Sequence, residues 1–430
     1  MNASSSDRSA ASPVPSGPAS AQPAGPARVP FLFTIEFLMS CGANFLSTGV
    51  FFYTTQRFGW TLRSNFILAA AQGCLYVCGA MSAGQLRKRW SPRGTLMRLF
   101  TCMMLVGLTG FIFPRSLVLA VLLPLYSGIG AASWPILESL VASGFEAAAM
   151  AGRIAAYNLA WSGAGALVLA VNGWIIEHYP GGVLAIPAIL NGTCAVLIRP
   201  SRGVVTSVTT SEVAPHRTAL PHVEPELLRL RTVALWLSRV ALPATYVLIY
   251  SLMALMPSLP VLRPFTPAKQ TLICSTWMAA RLVTFFLLGI GTWWHTRPRI
   301  LLVAALAMLI AFLGVVIRPS DLLGPSLVRF DILSMLAWQI LLGCALGMIY
   351  CGSLYFGMAL SDGSTEHGGY HEALIGLGSI LGPGAGAIAQ WLHPGDVHAG
   401  IVAVGWVVAA SVFAVAVTSL VIRRKAERTV

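Results

Sequence analysis

Four ionisable side chains stand inside otherwise apolar runs of this 430-residue sequence. Each marks a place where chemistry can be done, because a charge at membrane depth is costly and is kept for a reason. Arg281 lies deepest, about ten residues into the run 271–293, with Thr276, Trp277 and Thr284 near it. A cation so placed either faces a cavity and binds an anionic or polar group, or pairs with an acid on another helix. Glu36 lies in the first apolar run, and Glu138 lies in Trp134-Pro135-Ile136-Leu137-Glu138, within reach of a pairing with Arg153. Buried carboxyls are the groups that take up and release protons in coupled processes. Arg239 lies about two turns into the run 232–256, and it, Glu36 and Glu138 are all near enough to a span end to snorkel to the interface.

One polar stretch differs from the rest: Asp362-Gly363-Ser364-Thr365-Glu366-His367-Gly368-Gly369-Tyr370-His371-Glu372. His367 and His371, four apart and flanked by Glu366 and Glu372, approximate a metal site. Gly368-Gly369 is expected to interrupt the helix that such a site needs, so the stretch reads as a capped turn, with Ser364 or Thr365 starting the next helix. No metal and no cofactor is expected. The eight cysteines all lie in apolar segments without ligand spacing and read as small apolar fillers, although Cys74 and Cys78 share a helix face.

The elements that position these residues follow from composition. The chain is 56% hydrophobic and only 10% charged, against about 25% charged in a soluble domain, and its mean hydropathy is +0.75. It cannot clothe a water-facing exterior and reads as an all-α membrane protein. The apolar runs are too long for the strands of a transmembrane barrel. Twelve spans are predicted: 31–56, 64–84, 96–113, 117–142, 153–176 and 182–198, then 232–256, 271–293, 299–317, 331–360, 371–392 and 399–422. Residues 1–29, rich in Ser, Ala, Pro and Gly, read as a disordered tail. The polar stretch 199–231 reads as a linker between two six-helix bundles, 30–198 and 232–422, and 423–430 as a C-tail.

The net charge of +13 comes with no motif that reads nucleic acid, and its distribution sets orientation instead. With both ends in the cytoplasm, the opposite side holds only Arg57, Arg63, Arg115, Arg263, Lys269, Arg318 and Arg329 among the loop cations. The positive-inside rule therefore places both termini in the cytoplasm, of a cell (inner) membrane. Shifting residues 130–174 by 217 positions pairs Gly130 with Gly347, Gly152 with Gly369, Gly165 with Gly382 and Trp174 with Trp391, a sign of duplicated halves.

Two stretches carry a resemblance to the major facilitator superfamily. The loop Gly84-Gln85-Leu86-Arg87-Lys88-Arg89-Trp90-Ser91-Pro92-Arg93 is similar to the family's Gly-x-Leu-x-Asp-Arg-x-Gly-Arg-Arg at Gly84, Leu86, Arg89 and Arg93. It departs at Lys88, where the family has Asp, and at Ser91, where it has Gly. Trp294-His295-Thr296-Arg297-Pro298-Arg299 repeats the Pro-Arg ending. The glycine-rich run Gly376-Leu377-Gly378-Ser379-Ile380-Leu381-Gly382-Pro383-Gly384-Ala385-Gly386 resembles the family's Gly-Pro stretch, with Trp161-Ser162-Gly163-Ala164-Gly165 as its counterpart.

The resemblance implies two pseudo-symmetric six-helix bundles with spans 1, 4, 7 and 10 lining a central cavity. It raises Glu36, Asn44, Trp134, Glu138, Gln339, Tyr350 and Tyr355 as solute or coupling residues, beside Tyr157, Asn158, Arg239 and Arg281. It makes Gly84, Arg89, Arg93, Arg297 and Arg299 gating-loop residues. The implied activity is secondary transport of a small polar or amphipathic solute by alternating access, coupled to protons, by a monomer in the lipid bilayer. No Gly-x-x-x-x-Gly-Lys-Ser/Thr is present to hold a nucleotide. A membrane lipid or sugar transferase, or a receptor that binds without translocating, are the alternatives.

Overall fold

Helix starts follow ordinary local chemistry. Thr61 caps one helix by accepting from Ser64 N, and Ser91 caps the next by accepting from Gly94 N, with Pro92 at the first helical position. Gly59, at φ 63°, closes the first helix in the left-handed conformation that suits glycine.

The computed structural model describes residues 29–142, 147–199, 225–361 and 365–427, and among these every regular element is a helix. Eleven are long and apolar enough to cross a membrane: α1 Phe31–Phe58, α2 Leu62–Arg89, α3 Pro92–Ile112, α4 Ser116–Val141, α5 Gly152–His178, α7 Glu226–Ser258, α8 Pro267–Ile290, α9 Arg299–Val316, α10 Pro325–Leu360, α11 Thr365–Leu392 and α12 Val397–Ile422. Between α5 and α7 lies a shorter apolar helix, α6, Gly182–Leu197. At 16 residues it rises about 24 Å, short of a typical hydrocarbon core of about 30 Å. The chain is an integral membrane protein. The expected tail 1–29, most of the linker 199–231, Ser364 and the last residues of the C-tail fall outside the described residues.

One expectation needs correction. Gly368-Gly369 does not break a helix: α11 starts at Thr365 and runs through both glycines to Leu392. The two lie where α11 crosses its neighbours, and a Cβ on Gly368 would stand 3.0 Å from Glu138 Oε2 and 3.3 Å from Pro135 Cα. Tight packing, not a turn, is what they provide, and the helix carries His371 and Glu372 into the interior.

Helices that precede residue 199 pack on one another, α1 on α5 and α6, α2 on α4, α3 on α6, while α2 has its most extensive packing with α11 of the other set. Helices after residue 225 do likewise: α7 on α10, α11 and α12, α8 and α9 on α10. The two sets meet along two seams, α2 against α11 and α5 against α8, with α4 also touching α11. Both seams depend on glycine. A Cβ on Gly73 would fall 2.8 Å from the Ser379 carbonyl carbon, and one on Gly173 would fall 2.0 Å from the Pro267 oxygen, so backbones approach as only small residues allow.

Hydrogen bonds join the sets at both ends. At one, Arg87 donates to Ser139 Oγ (3.3 Å) and to Thr365 Oγ1 in a short contact. At the other, Ala268 N donates to Glu177 Oε1 (2.7 Å) and Gly173 N to Thr271 Oγ1 (3.0 Å), so an α5 acid caps the start of α8.

Three helices are interrupted partway. In α1, Thr48 and Gly49 both turn back to the Asn44 carbonyl, and Asn172 donates to the freed Gly49 oxygen (2.9 Å). In α4 the interruption is at Ala132–Ser133, with Ser133 Oγ bonded to Gly130 O (2.6 Å). In α8 it is at Ser275, whose Oγ bonds Leu272 O (2.7 Å). The outer surface is apolar, with Leu117, Ile189, Trp406 and Phe413 exposed. Cys74, Cys78, Cys102 and Cys344 are exposed free thiols and the other four are buried.

Gly173→Ala is expected to lower the melting temperature of the detergent-solubilised protein, overpacking of this kind costing about 1–3 kcal/mol. Gly384→Ala, where a Cβ meets nothing within 4 Å, is the matched control and leaves the melt unchanged or higher. Equal melts for the two would show that the α5–α8 seam is not held by close backbone approach.

Candidate functional site

The interruptions in α1 and α4 open onto the same central space. A cavity of about 50 Å³ lies between the two helix sets, room for a few water molecules in this arrangement of the helices. Its walls include Asn44, Ser47, Thr48, Tyr76, Trp134 and Trp161 from the first set and Tyr246, Tyr250, Met278, Arg281, Tyr350 and Glu372 from the second. A smaller recess of about 20 Å³ adjoins it, reaching Gln72, Tyr126 and Ser127.

Arg281 is the cation of this cavity, 2% exposed. Its guanidinium carbon lies 4.1 Å from the centre of the Trp161 ring and 4.9 Å from that of Trp277, a cation–π clamp that holds a charge without neutralising it. Nη2 contacts Met278 Sδ (2.8 Å) and Nε has no hydrogen-bond partner. Trp161 in turn stacks on Tyr350, with centroids 4.9 Å apart and planes 10° apart. On another wall Tyr76 stacks on Trp134 at 5.8 Å and 26°. The cavity therefore offers flat aromatic faces, one free-handed cation and one carboxylate, Glu372.

The residues expected from the sequence divide into groups. Asn44, Trp134, Arg281 and Tyr350 line the cavity. Glu36 is fully buried beside it and accepts from Ser40 Oγ (2.7 Å) and Trp134 Nε1 (3.3 Å), leaving Oε2 unpartnered. Tyr157 and Asn158 are buried with polar atoms that find no hydrogen-bond partner. Glu138 is buried with neither oxygen hydrogen-bonded, so the expected Glu138–Arg153 pair is not a hydrogen-bonded one.

Four expectations move away from the cavity. Gln339 is buried, and its amide, oriented to satisfy both groups, donates to the Ile273 and Cys274 carbonyls (3.2 Å each) at the α8 interruption. Its job there is to satisfy backbone. Tyr355 stacks on His295 (4.3 Å, 12°) and against Trp294. His295 itself lies between spans, where burial and the nearby Arg231 push its imidazole below the usual range. Arg239 Nη2 meets His367 Nδ1 at 2.9 Å, so the α7 cation is spent on α11 rather than on the interface. Of the gating-loop residues, Arg89, Arg297 and Arg299 are exposed, Arg93 is partly so, and a Cβ on Gly84 would meet nothing within 4 Å. At that end it is Arg87 that bonds across the helix sets, to Thr365.

Sequence reading did not single out Tyr76, Tyr246 or Tyr250, and it weighed His371 and Glu372 only as part of an approximate metal site in a capped turn. The tyrosines gave no signal that separates them from packing aromatics. Glu372 was read as part of a turn, and its true place follows once α11 runs through the glycines. The Tyr76 hydroxyl donates to Glu372 Oε2 in a short contact across the α2–α11 seam.

No protein-family model matches the chain, and no curated protein sequence matches it. Among solved structures it is similar to that of the nucleoside transporter NupG, which it matches at a TM-score of 0.64 over 90% of this chain and 98% of that one, with 13% identity. It is similar to the same degree to a point mutant of that transporter, over 91% and 98%. The shared property at this identity is the fold. That fold accounts for why two helix sets with long seams leave a polar space on the axis.

Arg281→Met is expected to leave the melting temperature unchanged or to raise it, because it removes a buried cation that no carboxylate hydrogen-bonds. Trp161→Ala, which strips the Tyr350 stack, is expected to cost about 3 kcal/mol. A fall on Arg281→Met as large as that of Trp161→Ala would mean that the guanidinium is structural.

Proposed function

We propose that the chain is a secondary transporter of the major facilitator type that moves a small polar solute by alternating access. In this reading the spans number twelve, α6 included, in bundles 30–198 and 232–422, with both termini in the cytoplasm of the cell membrane and the monomer as the working unit. The observation that carries it is that the walls of the central cavity come from both helix sets. A site shared between two bodies is the one that rocking of those bodies can expose to either side in turn.

The lining favours a solute with a flat ring and hydroxyl or anionic groups. Trp161–Tyr350 and Tyr76–Trp134 present ring faces, Arg281 donates, and Asn44 and Glu372 bond hydroxyls. A nucleoside has this chemistry, and it is the class named for the similarly folded NupG, so nucleosides are the first solutes to try. Sugars and organic anions come next. The seams carry the movement: glycine crossings let α2 slide on α11 and α5 on α8, while the Arg87 contacts at one end and the Glu177 cap at the other open by turns. Glu36, bonded to Trp134 of the cavity wall, is the proton-coupling carboxyl. A proton there alters the Trp134 contact and so the shape of the site.

The test is uptake of labelled nucleosides into proteoliposomes, with and without a proton gradient. Saturable uptake is expected, falling roughly tenfold or more in Arg281→Met, as loss of one hydrogen bond to a charged group implies. Glu36→Gln keeps an oxygen for Ser40 and is expected to abolish the dependence on the gradient. Uptake of no solute in the three classes would overturn the transporter reading, and unchanged flux in both variants would overturn the site.

A further inference from the structure

Between α4 and α11, beside the cavity, three acceptor groups converge with no donor of their own. One ligand atom each from Glu138, His371 and Glu372 lies within 4.8 Å of the other two, and the three side chains are 2–3% exposed. Neither oxygen of Glu138 has a hydrogen-bond partner, nor does His371 Nε2. Buried polar atoms are nearly always satisfied, and acceptors facing acceptors need a bound cation or a shared proton between them.

The surroundings are arranged as around a ligand set. Ser353 Oγ lies 3.0 Å from His371 Nδ1; when Nδ1 donates there, the lone pair is on Nε2, the ring atom left without a hydrogen-bond partner. Tyr76 donates to one oxygen of Glu372 and so fixes its rotamer. Gly368 leaves open the space 3.0 Å from Glu138 Oε2 that a Cβ would fill. Glu372 also lines the cavity, which gives an ion a route in.

We propose that Glu138, His371 and Glu372 hold one divalent transition-metal cation that ties α4 to α11. Two carboxylates balance its charge. The mixed oxygen and imidazole donors suit zinc, manganese or iron(II) rather than the all-oxygen preference of calcium and magnesium. Ligand atoms about 2.1 Å from an ion lie about 3.4 Å apart in a tetrahedron, inside the spread seen here. The cation sits on the line between the two helix sets, so binding it favours the arrangement in which α4 and α11 touch. This site is separate from Arg281 and does not rest on the identity of the solute.

The full-length protein in detergent, stripped with chelator and dialysed against Zn²⁺, Mn²⁺ or Co²⁺, is assayed for retained metal by mass spectrometry and, for Co²⁺, by its visible absorption. One equivalent per chain is expected. Glu138→Gln and Glu372→Gln should each abolish retention, while Ser353→Ala and Tyr76→Phe weaken it roughly ten- to a hundredfold through the supporting bonds. Glu366→Gln and His367→Gln, on the same helix but outside the cluster, should retain the metal. Melting curves establish that each variant is folded. No stoichiometric retention of any of the three ions overturns the proposal, as does retention that survives both Glu138→Gln and Glu372→Gln. A metal-free protein that instead grows more stable as pH falls would assign the cluster to a shared proton, which also overturns it. Because metal retention is read without flux, failure here is distinct from failure of the transporter reading.

Discussion

A charge cannot face hydrocarbon, and the architecture turns on where five of them are put. Glu36, Glu138 and Glu372, with Arg281, are buried, and Arg239 is half-buried against His367. Helices satisfy their own backbone, so in lipid little besides packing and polar side chains draws one span to another. Here those side chains come from α1, α4, α7, α8 and α11. Each must be enclosed, and enclosing all of them brings the spans of both sets around one axis. The cavity is what remains when aromatic side chains, too broad to interlock fully, close over that polar centre.

Close approach and interruption are the two means by which the helices meet that demand. Along the seams, glycine opposite backbone brings α2 to α11 and α5 to α8 with no room for a side chain between them. At the interruptions of α1, α4 and α8 the opposite happens: the helix releases carbonyls, and polar side chains must take them up. Asn172 serves α1, Ser133 serves α4, and Ser275 with Gln339 serves α8. Polar residues in the spans are therefore of two kinds, those that repair backbone and those that face open space. Only the second kind is available to a solute.

That division explains what was legible in the sequence. Membrane-length apolar runs, the deep position of Arg281 and the burial of Glu36 and Glu138 follow from the cost of moving charge into lipid, which a sequence displays directly. Gln339 and Tyr355 looked alike as polar groups on cavity-lining helices, but the first repairs α8 and the second stacks on His295. Which way a side chain faces depends on helix rotation, and the pattern of α10, apolar nearly all round, carries no sign of it. Gly368-Gly369 misled for a different reason. Adjacent glycines weaken an isolated helix, yet in a bilayer the same residues are the ones that permit close crossing. The local propensity pointed one way and the tertiary demand the other. Losing that point hid Glu372, and with it the cluster. The neighbouring Arg87 was passed over because the motif that draws attention to the loop marks Arg89 and Arg93, while the end of α2 turns Arg87 toward Thr365.

The way Arg281 is held bears on how a cavity cation can serve a cycle of binding and release. A carboxylate partner would take up the fork of guanidinium donors, and any solute would have to displace it, at a cost comparable to what the solute gains. Two indole rings instead attract the charge, with the guanidinium carbon 4.1 Å from the centre of Trp161 and 4.9 Å from that of Trp277. The charge is stabilised without a carboxylate, and Nε keeps no hydrogen-bond partner. The arrangement also explains why Trp161 stacks on Tyr350 of the opposite set. A movement of one set relative to the other slides one ring over its partner and shifts the face that holds Arg281, so the position of the cation follows the position of the helices.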